Sequence, residues 1–442
     1  MLSAKAYSHY THSQLLLRLA GVLSELSPLW RLRTFDCQTL IWQQKFPHLA
    51  SCVTALAADE LDAIDTDTSR LLATLLPPLH RDLAAQGWDA AQLDELQSLL
   101  AICLPDGESP RPLALSEAEL PHFSAHIKGR KWQQIAAFVG SLPVVADERA
   151  RSMQSTAGQR DEPAALLEWC AGKGHLGRLI SKTSGQPVIS LEWQQPLCDA
   201  GEQFARHWQL PQRFICADAF NVPGSVFGGI AQAVALHACG DLHVTLLKQG
   251  TAAGIPAISI SPCCYHLIRD THYQFLSASG RQTGLEVTRH QLQLPLQHSV
   301  IASASARALR QKELAWRLGF DSLQRQVRGE DAYLPLPTLR QSQLSGDFME
   351  FVHWGARAKG LDLPGELDIA AFETIGWQRI SLVRRLDLAA HLLRAPMEHL
   401  LLLDRVCFLE EQGYQVTLQS FCPASVTPRN ALISAAKNPL KY

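Results

Sequence analysis

The sequence has few features that would place the protein in a membrane or outside the cell. Its longest apolar stretch, near His399–Phe408, is broken by Asp404 and Arg405 and is too short to cross a bilayer. The segment Met1–Lys5 does not begin the charged, apolar and small-residue pattern of a signal peptide. The 11 cysteines are odd in number and lack the spacing of a disulfide framework. We therefore predict a cytoplasmic protein that contacts no membrane.

The sequence also has little net charge. Its 40 Lys and Arg residues nearly balance its 42 Asp and Glu residues, which gives a formal net charge of −2. This balance excludes a global electrostatic attraction to nucleic acid or to anionic lipid. Any basic surface must therefore be local, and Lys128, Arg130 and Lys131 form one such cluster.

The chain is too long for a single compact core. At 442 residues, it is expected to contain two or three domains. Hydrophobic periodicity predicts helices over Ser13–Leu26, Leu71–Leu100 (interrupted at Pro77 and Pro78), Trp132–Val139, Ala304–Leu318, Asp347–Gly360 and Pro396–Glu411. We predict a helical N-terminal domain over 1–120, a core over 121–270, a mostly helical insertion over 271–385, and a closing segment of the core over 386–442.

From residue 164 the sequence alternates between short apolar runs and helical stretches. The predicted strands are Ala164–Glu168, Pro187–Glu192, Arg213–Ala217, Gln232–Leu236 and Ala257–Ile260. Strands that are separated by helices form a parallel sheet with right-handed crossovers. Two closely spaced strands near the end, Tyr414–Phe421 and Asn430–Ala436, predict an antiparallel hairpin.

A glycine motif joins the first predicted strand to the following helix. Gly172, Gly174 and Gly177 allow the backbone to pass close to a ligand and to point a helix N-terminus at it. A nucleotide-like cofactor is therefore expected. The spacing also matches a dinucleotide fingerprint, because Glu192 lies twenty residues after Gly172. An NAD-dependent oxidoreductase is thus one alternative.

Acidic residues at the ends of successive strands favour S-adenosylmethionine (SAM). Glu168 is placed to accept from the cationic amino-acid end of SAM, whereas it would repel a pyrophosphate. Glu192 is placed for the ribose hydroxyls, and Asp218 with Ala219 for the adenine edge. The predicted cofactor-binding residues are Glu168, Cys170, Gly172, Gly174, Glu192, Trp193, Asp218, Ala219 and His237.

These motifs resemble the class I methyltransferase fold, from Glu168–Gly177 through Leu191–Trp193 and Cys216–Phe220 to the closing hairpin. More narrowly, the sequences HACGDL at His237–Leu242 and PCCYH at Pro262–His266 look like those of a poorly characterised methyltransferase-domain family. They are similar to motifs of acceptor-stem tRNA ribose methyltransferases. The resemblance implies an α/β, Rossmann-like, seven-stranded methyltransferase sheet of order 3-2-1-4-5-7-6. It also implies an RNA acceptor, either tRNA or rRNA.

Methyl transfer is an in-line displacement that needs an aligned acceptor and a group that takes its proton. His237 or His266 could act as the general base, because imidazole titrates near neutrality. Asp241 could orient a histidine, accept the proton itself, or cap the helix that begins at Leu242. Tyr265 completes the predicted catalytic set. No Asn-Pro-Pro-Tyr-like sequence follows the fourth strand, which disfavours an exocyclic amine as the acceptor, and no Lys-Asp-Lys-Glu set supports a ribose mechanism of that type.

The predicted acceptor-binding residues combine the basic cluster with the two cysteines after the fifth strand and a turn in the closing hairpin. They are Lys128, Arg130, Lys131, Cys263, Cys264, Arg429 and Asn430. The sequence is also compatible with a protein or small-molecule acceptor and with a non-catalytic RNA-binding scaffold.

Several cysteines are predicted to lie close together at the ends of neighbouring strands. The set contains Cys170, Cys239, Cys263 and Cys264, with His237 and His266 beside them. Thiols and imidazoles are ligands for zinc or iron. Because no C-x-x-C pair is present, we interpret the cysteines as small apolar side chains beside the cofactor and predict no metal.

Overall fold

The protein folds into two compact units. The structure is a computed structural model that describes residues 9–125, 127–143, 164–297, 304–339 and 341–437. The first unit contains Val22–Ala101 and Gln297–Pro396, and the second contains the described residues before Val22, the range Ile102–Leu296 and the residues after Pro396. The domain boundaries expected at residues 120, 270 and 385 stay predictions.

Apart from short 3-10 turns, the described residues form sixteen helices and seven strands. The helices are α1 (His12–Glu25), α2 (Ser27–Trp30), α3 (Pro47–Ala55), α4 (Glu60–Asp65), α5 (Thr68–Ala85), α6 (Ala90–Leu100), α7 (Leu120–Ser124), α8 (Gly129–Ser141), α9 (His175–Ser184), α10 (Gln195–His207), α11 (Asp241–Ala252), α12 (Ala278–Gln282), α13 (Ala304–Arg328), α14 (Phe348–Lys359), α15 (Ile369–Ala390) and α16 (Arg394–Glu411). The strands are β1 (Ala165–Trp169), β2 (Val188–Glu192), β3 (Gln212–Cys216), β4 (Ile230–Ala235), β5 (Ala257–Ile260), β6 (Tyr414–Ser420) and β7 (Ala431–Lys437).

All seven strands form one sheet, which belongs to the second unit. Its order is β3-β2-β1-β4-β5-β7-β6. The pairs among β1 to β5 are parallel, whereas β7 runs antiparallel to both β5 and β6. The predicted fold class, strand order and closing hairpin are therefore confirmed, and each predicted strand end lies within two residues of the observed one.

The middle of this sheet is buried, which places the glycine motif on a rigid base. Leu166 of β1 and Val188 of β2 belong to a core that also contains Leu179 of α9 and Phe138 of α8. Parallel strands with covered faces are expected to be nearly continuous apolar runs, as these are. The shared core fixes α9, and with it the glycine turn, next to α8 and its basic N-terminus.

The predicted interruption at Pro77 and Pro78 is wrong, because α5 continues through both prolines. A proline inside a helix leaves the carbonyl four residues earlier without its usual N–H partner. The carbonyl of Thr74, four residues before Pro78, instead accepts from the thiol of Cys52 on α3 at 3.6 Å. A neighbouring helix thus compensates for one of the lost backbone hydrogen bonds.

The predicted end of α13 at Leu318 is also wrong, since the helix continues to Arg328. Gly319 lies inside α13, where a Cβ atom would be 2.6 Å from the carbonyl oxygen of Phe372 on α15. The glycine therefore permits two helices to approach closely and does not end either of them. The helix α15, which spans residue 385, was not predicted from the hydrophobic periodicity.

The apolar stretch in α16 packs within the second unit. The two charged residues that interrupt it are paired inside the protein. Buried Asp404 accepts from the backbone N–H groups of Leu276 and Ser277 at 2.9 Å each. Buried Arg405 donates to Nε2 of His243 at 2.8 Å. Within the described part of the chain, no helix has the length and apolar character needed to cross a membrane.

Candidate active site

The glycine motif forms a turn with three left-handed residues between β1 and α9. Cys170, Gly172 and Gly174 have φ values of 56°, 58° and 67°. A Cβ atom at Gly174 would be 2.4 Å from the ring of Phe214, whereas one at Gly172 would meet no atom within 4 Å. The turn is therefore packed against Phe214 at Gly174 and open at Gly172. A turn of this kind can serve as a cradle in which the backbone approaches a ligand.

Glu168 is buried beneath the start of α9. Its carboxylate accepts from Oγ of Ser190 at 2.6 Å and from the backbone N–H groups of Leu176 and Gly177. Burial raises the pKa of Glu168 to about 7, and these hydrogen bonds oppose the rise. The carboxyl group thus holds the helix N-terminus in place. Its contact with the amino-acid end of SAM stays a prediction.

We expect Gly177→Ala to destabilise the protein by about 1–3 kcal/mol, although alanine favours a helix over glycine by about 1 kcal/mol. A Cβ atom at Gly177 would be 2.4 Å from Oε2 of Glu168, and that side chain is enclosed. Urea unfolding measures the change. Gly250→Ala in α11 is the control, because there the closest atom is a methyl carbon of Ile258 at 3.3 Å. Equal stabilities of the two variants would contradict this explanation.

Glu192 at the end of β2 is joined directly to the glycine turn. Its Oε2 accepts from the backbone N–H of Gly172 at 2.9 Å, and its Oε1 accepts from that of Gln194 at 3.1 Å. The next residue, Trp193, is 69% exposed, although large aromatic side chains are usually covered. The end of β2 therefore offers a fixed carboxylate and a free aromatic surface beside the cradle.

Asp218 and Ala219 follow β3 and form the next part of this edge. Asp218 is exposed and accepts from the backbone N–H of Phe220 at 2.9 Å and from Nδ2 of Asn221 at 2.7 Å. Ala219 is buried. The short turn is thus rigid. Since β3, β2 and β1 are parallel neighbours, their carboxyl ends lie along one edge of the sheet.

The loop after β4 is bonded to the loop after β5. Gly240 donates its N–H to the carbonyl of Cys263 at 3.1 Å, and Asp241 donates its N–H to that of Leu267 at 3.1 Å. Gly240 has a φ of 55°, and a Cβ atom there would be 2.0 Å from the carbonyl oxygen of Leu267. The HACGD and PCCYH motifs therefore form one structural element.

The carboxylate of Asp241 strengthens this element. Its Oδ2 accepts from the backbone N–H of Arg269 at 2.7 Å. The helix α11 begins at Asp241, with Gly240 in the cap position, so the hypothesis that Asp241 caps a helix beginning at Leu242 is wrong. A catalytic role of Asp241 stays a prediction.

Three of the predicted cysteines converge at this element. The sulfur atoms of Cys239, Cys263 and Cys264 lie within 4.8 Å of one another, and those of Cys239 and Cys263 are 3.5 Å apart. Hydrogen bonds from the other two thiols, and the nearby positive charge of Arg429, hold the pKa of Cys264 below its ordinary value. Cys170 does not belong to this group of three.

The two candidate bases differ in their surroundings. Part of the His237 side chain is exposed, but the adjacent protein desolvates the imidazole and lowers its pKa to about 4, with smaller contributions from Lys131 and Arg429. His237 is therefore neutral at pH 7 and able to accept a proton. His266 is partly buried, and its Nδ1 has no hydrogen-bond partner among the described residues.

Glu398 of α16, a residue that no sequence motif indicated, contacts the predicted catalytic residue Tyr265. The Tyr265 hydroxyl donates to Oε1 of Glu398 at 3.3 Å, and the tyrosine is completely buried. Burial raises the pKa of Glu398 to about 7. Glu398 follows Tyr265 by 133 residues and stands in a helix, so no local pattern marks it.

Apart from Cys263 and Cys264, the predicted acceptor-binding residues divide into two groups. Lys128, Arg130 and Lys131 are exposed at the N-terminus of α8, and the charge of Lys131 reaches His237. Arg429 is partly buried, and its Nε has no hydrogen-bond partner among the described residues. Asn430 instead donates to the carbonyl of Cys422 at 2.7 Å and stabilises its own turn.

The edge formed by β1, β2 and β3 fits a bound SAM molecule. The open space above Gly172 is a cradle, and the carboxylate of Glu192 is fixed beside it. The contacts of Glu192 with the ribose hydroxyls and of Asp218 with adenine stay predictions. Trp193 offers an exposed ring, and Asp218 an exposed carboxylate. When bound, SAM supplies an electrophilic methyl group on a sulfonium centre.

Residues 130–271 match a family model described as a methyltransferase domain. Three similar solved structures have low TM-scores. A tRNA (uracil-54, C5)-methyltransferase from Pyrococcus abyssi has a TM-score of 0.20 and 17% identity, with 26% of this chain and 28% of that chain covered. Magnesium protoporphyrin IX methyltransferase from Synechocystis PCC 6803 has a TM-score of 0.22 and 10% identity, with 32% of this chain and 64% of that chain covered. Coclaurine N-methyltransferase has a TM-score of 0.21 and 12% identity, with 55% of this chain and 62% of that chain covered.

The chain spans less than two thirds of the length of each of these three proteins. The likeness therefore depends on the matched domain and on the sheet. Residues 130–271, which include α8 and β1 to β5, are similar to a methyltransferase domain, and these strands belong to a sheet of order 3-2-1-4-5-7-6.

Proposed function

We propose that this protein is a SAM-dependent methyltransferase that modifies RNA, either tRNA or rRNA. The observation that carries the proposal is the positive charge around the candidate base. Lys131 and Arg429 both lie close enough to His237 to lower its pKa. Lys131 is exposed, and Arg429 is partly buried. Cations at these two positions suit an acceptor that carries phosphate groups.

The proposed mechanism is an in-line transfer in which His237 is the general base. Bound SAM would supply the methyl group and keep the sulfur as the leaving group, and the neutral imidazole of His237 would take the proton that the acceptor atom loses. Asp241 keeps the His237 loop bonded to the loop after β5. Among the described residues, Nε of Arg429 has no hydrogen-bond partner, so it can donate to a phosphate of the acceptor.

Incubation with SAM that carries a labelled methyl group tests the acceptor class. The purified protein is given separated RNA, protein and small-molecule fractions, and each fraction is then digested and counted. Label in RNA that ribonuclease releases supports the proposal. Label confined to protein or to small molecules would replace RNA with that class of acceptor. SAM binding without label in any fraction would favour a non-catalytic scaffold.

We expect alanine substitutions at Lys128, Arg130 and Lys131 together to weaken RNA binding by about 10–100-fold at physiological salt. Each phosphate contact releases counterions, so the loss of three contacts reduces the slope of log K against log salt by about 2. Fluorescence anisotropy with a labelled tRNA at several salt concentrations measures both quantities.

The matched control replaces three exposed basic residues elsewhere in the same unit, namely Arg206, Arg213 and Lys248. This variant removes the same charge from the chain. Equal losses of affinity in the two triple variants would mean that only net charge matters, and the proposed RNA surface at α8 would be abandoned.

A further inference from the structure

We propose that Cys239, Cys263 and Cys264 bind a thiophilic divalent cation, Zn²⁺. Their sulfur atoms lie within 4.8 Å of one another, and one pair is separated by 3.5 Å. Tetrahedral zinc with bonds of about 2.3 Å to sulfur separates its sulfur ligands by about 3.8 Å. The three thiols therefore need to move by only a fraction of their present separation to surround one ion.

The backbone prepares this arrangement. Cys239 follows β4, while Cys263 and Cys264 follow β5, and these strands are hydrogen-bonded neighbours. The bond from the N–H of Gly240 to the carbonyl of Cys263 ties the two loops together at 3.1 Å. Cys264 adopts a φ of 50°, which is costly for a residue with a side chain. Such a conformation persists only when its surroundings fix it, and it places the third thiol in the cluster.

The charge of the surroundings also suits the ion. Three thiolates and one Zn²⁺ carry a net charge of −1. Arg429 lies close enough to exert its positive charge on Cys239 and Cys264, and its buried Nε has no hydrogen-bond partner among the described residues. An arginine in this position compensates the remaining negative charge.

The ligand set indicates a site with an exchangeable position. Among the described residues, no histidine, aspartate or glutamate joins the three sulfurs within the same 4.8 Å. Zinc sites with three protein ligands keep a fourth position for water or substrate, whereas structural sites are closed by four. The missing C-x-x-C pair is explained as well, since the ligands come from two loops and not from one.

Zinc content and thiol protection test the proposal on the full-length protein. The reduced protein is freed of metal with a chelator, titrated with ZnCl₂ against a competing dye, and then analysed for metal. The protein without substitutions is also alkylated with and without Zn²⁺, and the extent of alkylation at each cysteine is measured by mass spectrometry. We expect one zinc per chain and protection confined to the cluster, with the change read at partly exposed Cys239 and Cys264 because buried Cys263 reacts slowly even without metal.

Serine substitutions of the three cysteines, one at a time, provide a second test. Each is expected to weaken zinc binding by at least 100-fold, whereas Cys216→Ser, at an exposed cysteine outside the cluster, leaves it unchanged. The alkylation experiment needs no variant and remains decisive if a substitution prevents folding. The proposal is overturned if unmodified protein binds no zinc, if zinc protects other cysteines, or if Cys239 and Cys263 form a disulfide in preference to binding metal. None of these readouts depends on RNA or on methyl transfer.

Discussion

Glu192→Gln is expected to weaken the binding of S-adenosylhomocysteine by about 100-fold or more. Glu192 accepts one backbone N–H on each carboxylate oxygen, from Gly172 and from Gln194. Glutamine replaces one of these oxygens by an NH₂ group, so that two donors face each other. Charge-assisted hydrogen bonds contribute about 1.5–3 kcal/mol each. The substitution therefore loosens the glycine cradle and also replaces the charged acceptor proposed for the ribose by a neutral amide.

Isothermal titration calorimetry with S-adenosylhomocysteine measures this loss. Glu202→Gln is the matched control, because Oε1 of Glu202 also accepts a backbone N–H, from Phe214 at 3.1 Å. Glu202 stands on α10, outside the glycine turn, so its variant is expected to retain affinity within about threefold. If Glu192→Gln binds as tightly as this control, Glu192 serves only the local fold and not the cofactor.

The sheet could be predicted from the sequence because its central strands are buried runs with clear ends. The strands β1, β2, β4 and β5 are short, mostly apolar segments, and the crossover rule leaves few possible orders. The helices were predicted less well, since Pro78 and Gly319 usually mark helix ends. Here a thiol from another helix and a close crossing of two helices override that local preference.

The candidate site was predictable only where its residues belong to a motif. Glu192 could be found by its distance from Gly172, since both the strand and the helix between them have regular lengths. Glu398 could not, because it reaches Tyr265 from a helix 133 residues later. The cluster of Cys239, Cys263 and Cys264 was expected in outline from strand order. The distances between the three sulfur atoms depend on the hydrogen bonds between the loops after β4 and β5, and no pattern in the sequence specifies these bonds.

His237→Ala is expected to lower kcat by about 10²–10⁴-fold, with the affinity for S-adenosylhomocysteine changed by less than about tenfold. The variant removes the neutral imidazole that accepts the proton in the proposed mechanism. Single-turnover methyl transfer to the RNA substrate measures the chemical step directly. His207→Ala, at an exposed histidine at the end of α10, is the control and should behave as the unmodified enzyme. If His237→Ala keeps the full rate, His237 is not the base and another group accepts the proton.

The pH dependence of kcat/KM distinguishes a base from a residue that only shapes the site. A general base must be unprotonated, and the pKa of His237 is lowered to about 4. The rate should therefore be constant from about pH 6 to 8 and should fall only as the pH decreases towards that pKa. Lys131→Ala removes a positive charge that lowers this pKa, so the acidic limb should move to higher pH. Arg130→Ala removes a charge from the same helix turn and should leave the limb in place. An acidic limb near pH 6.5 that stays in place in Lys131→Ala would exclude His237 as the base.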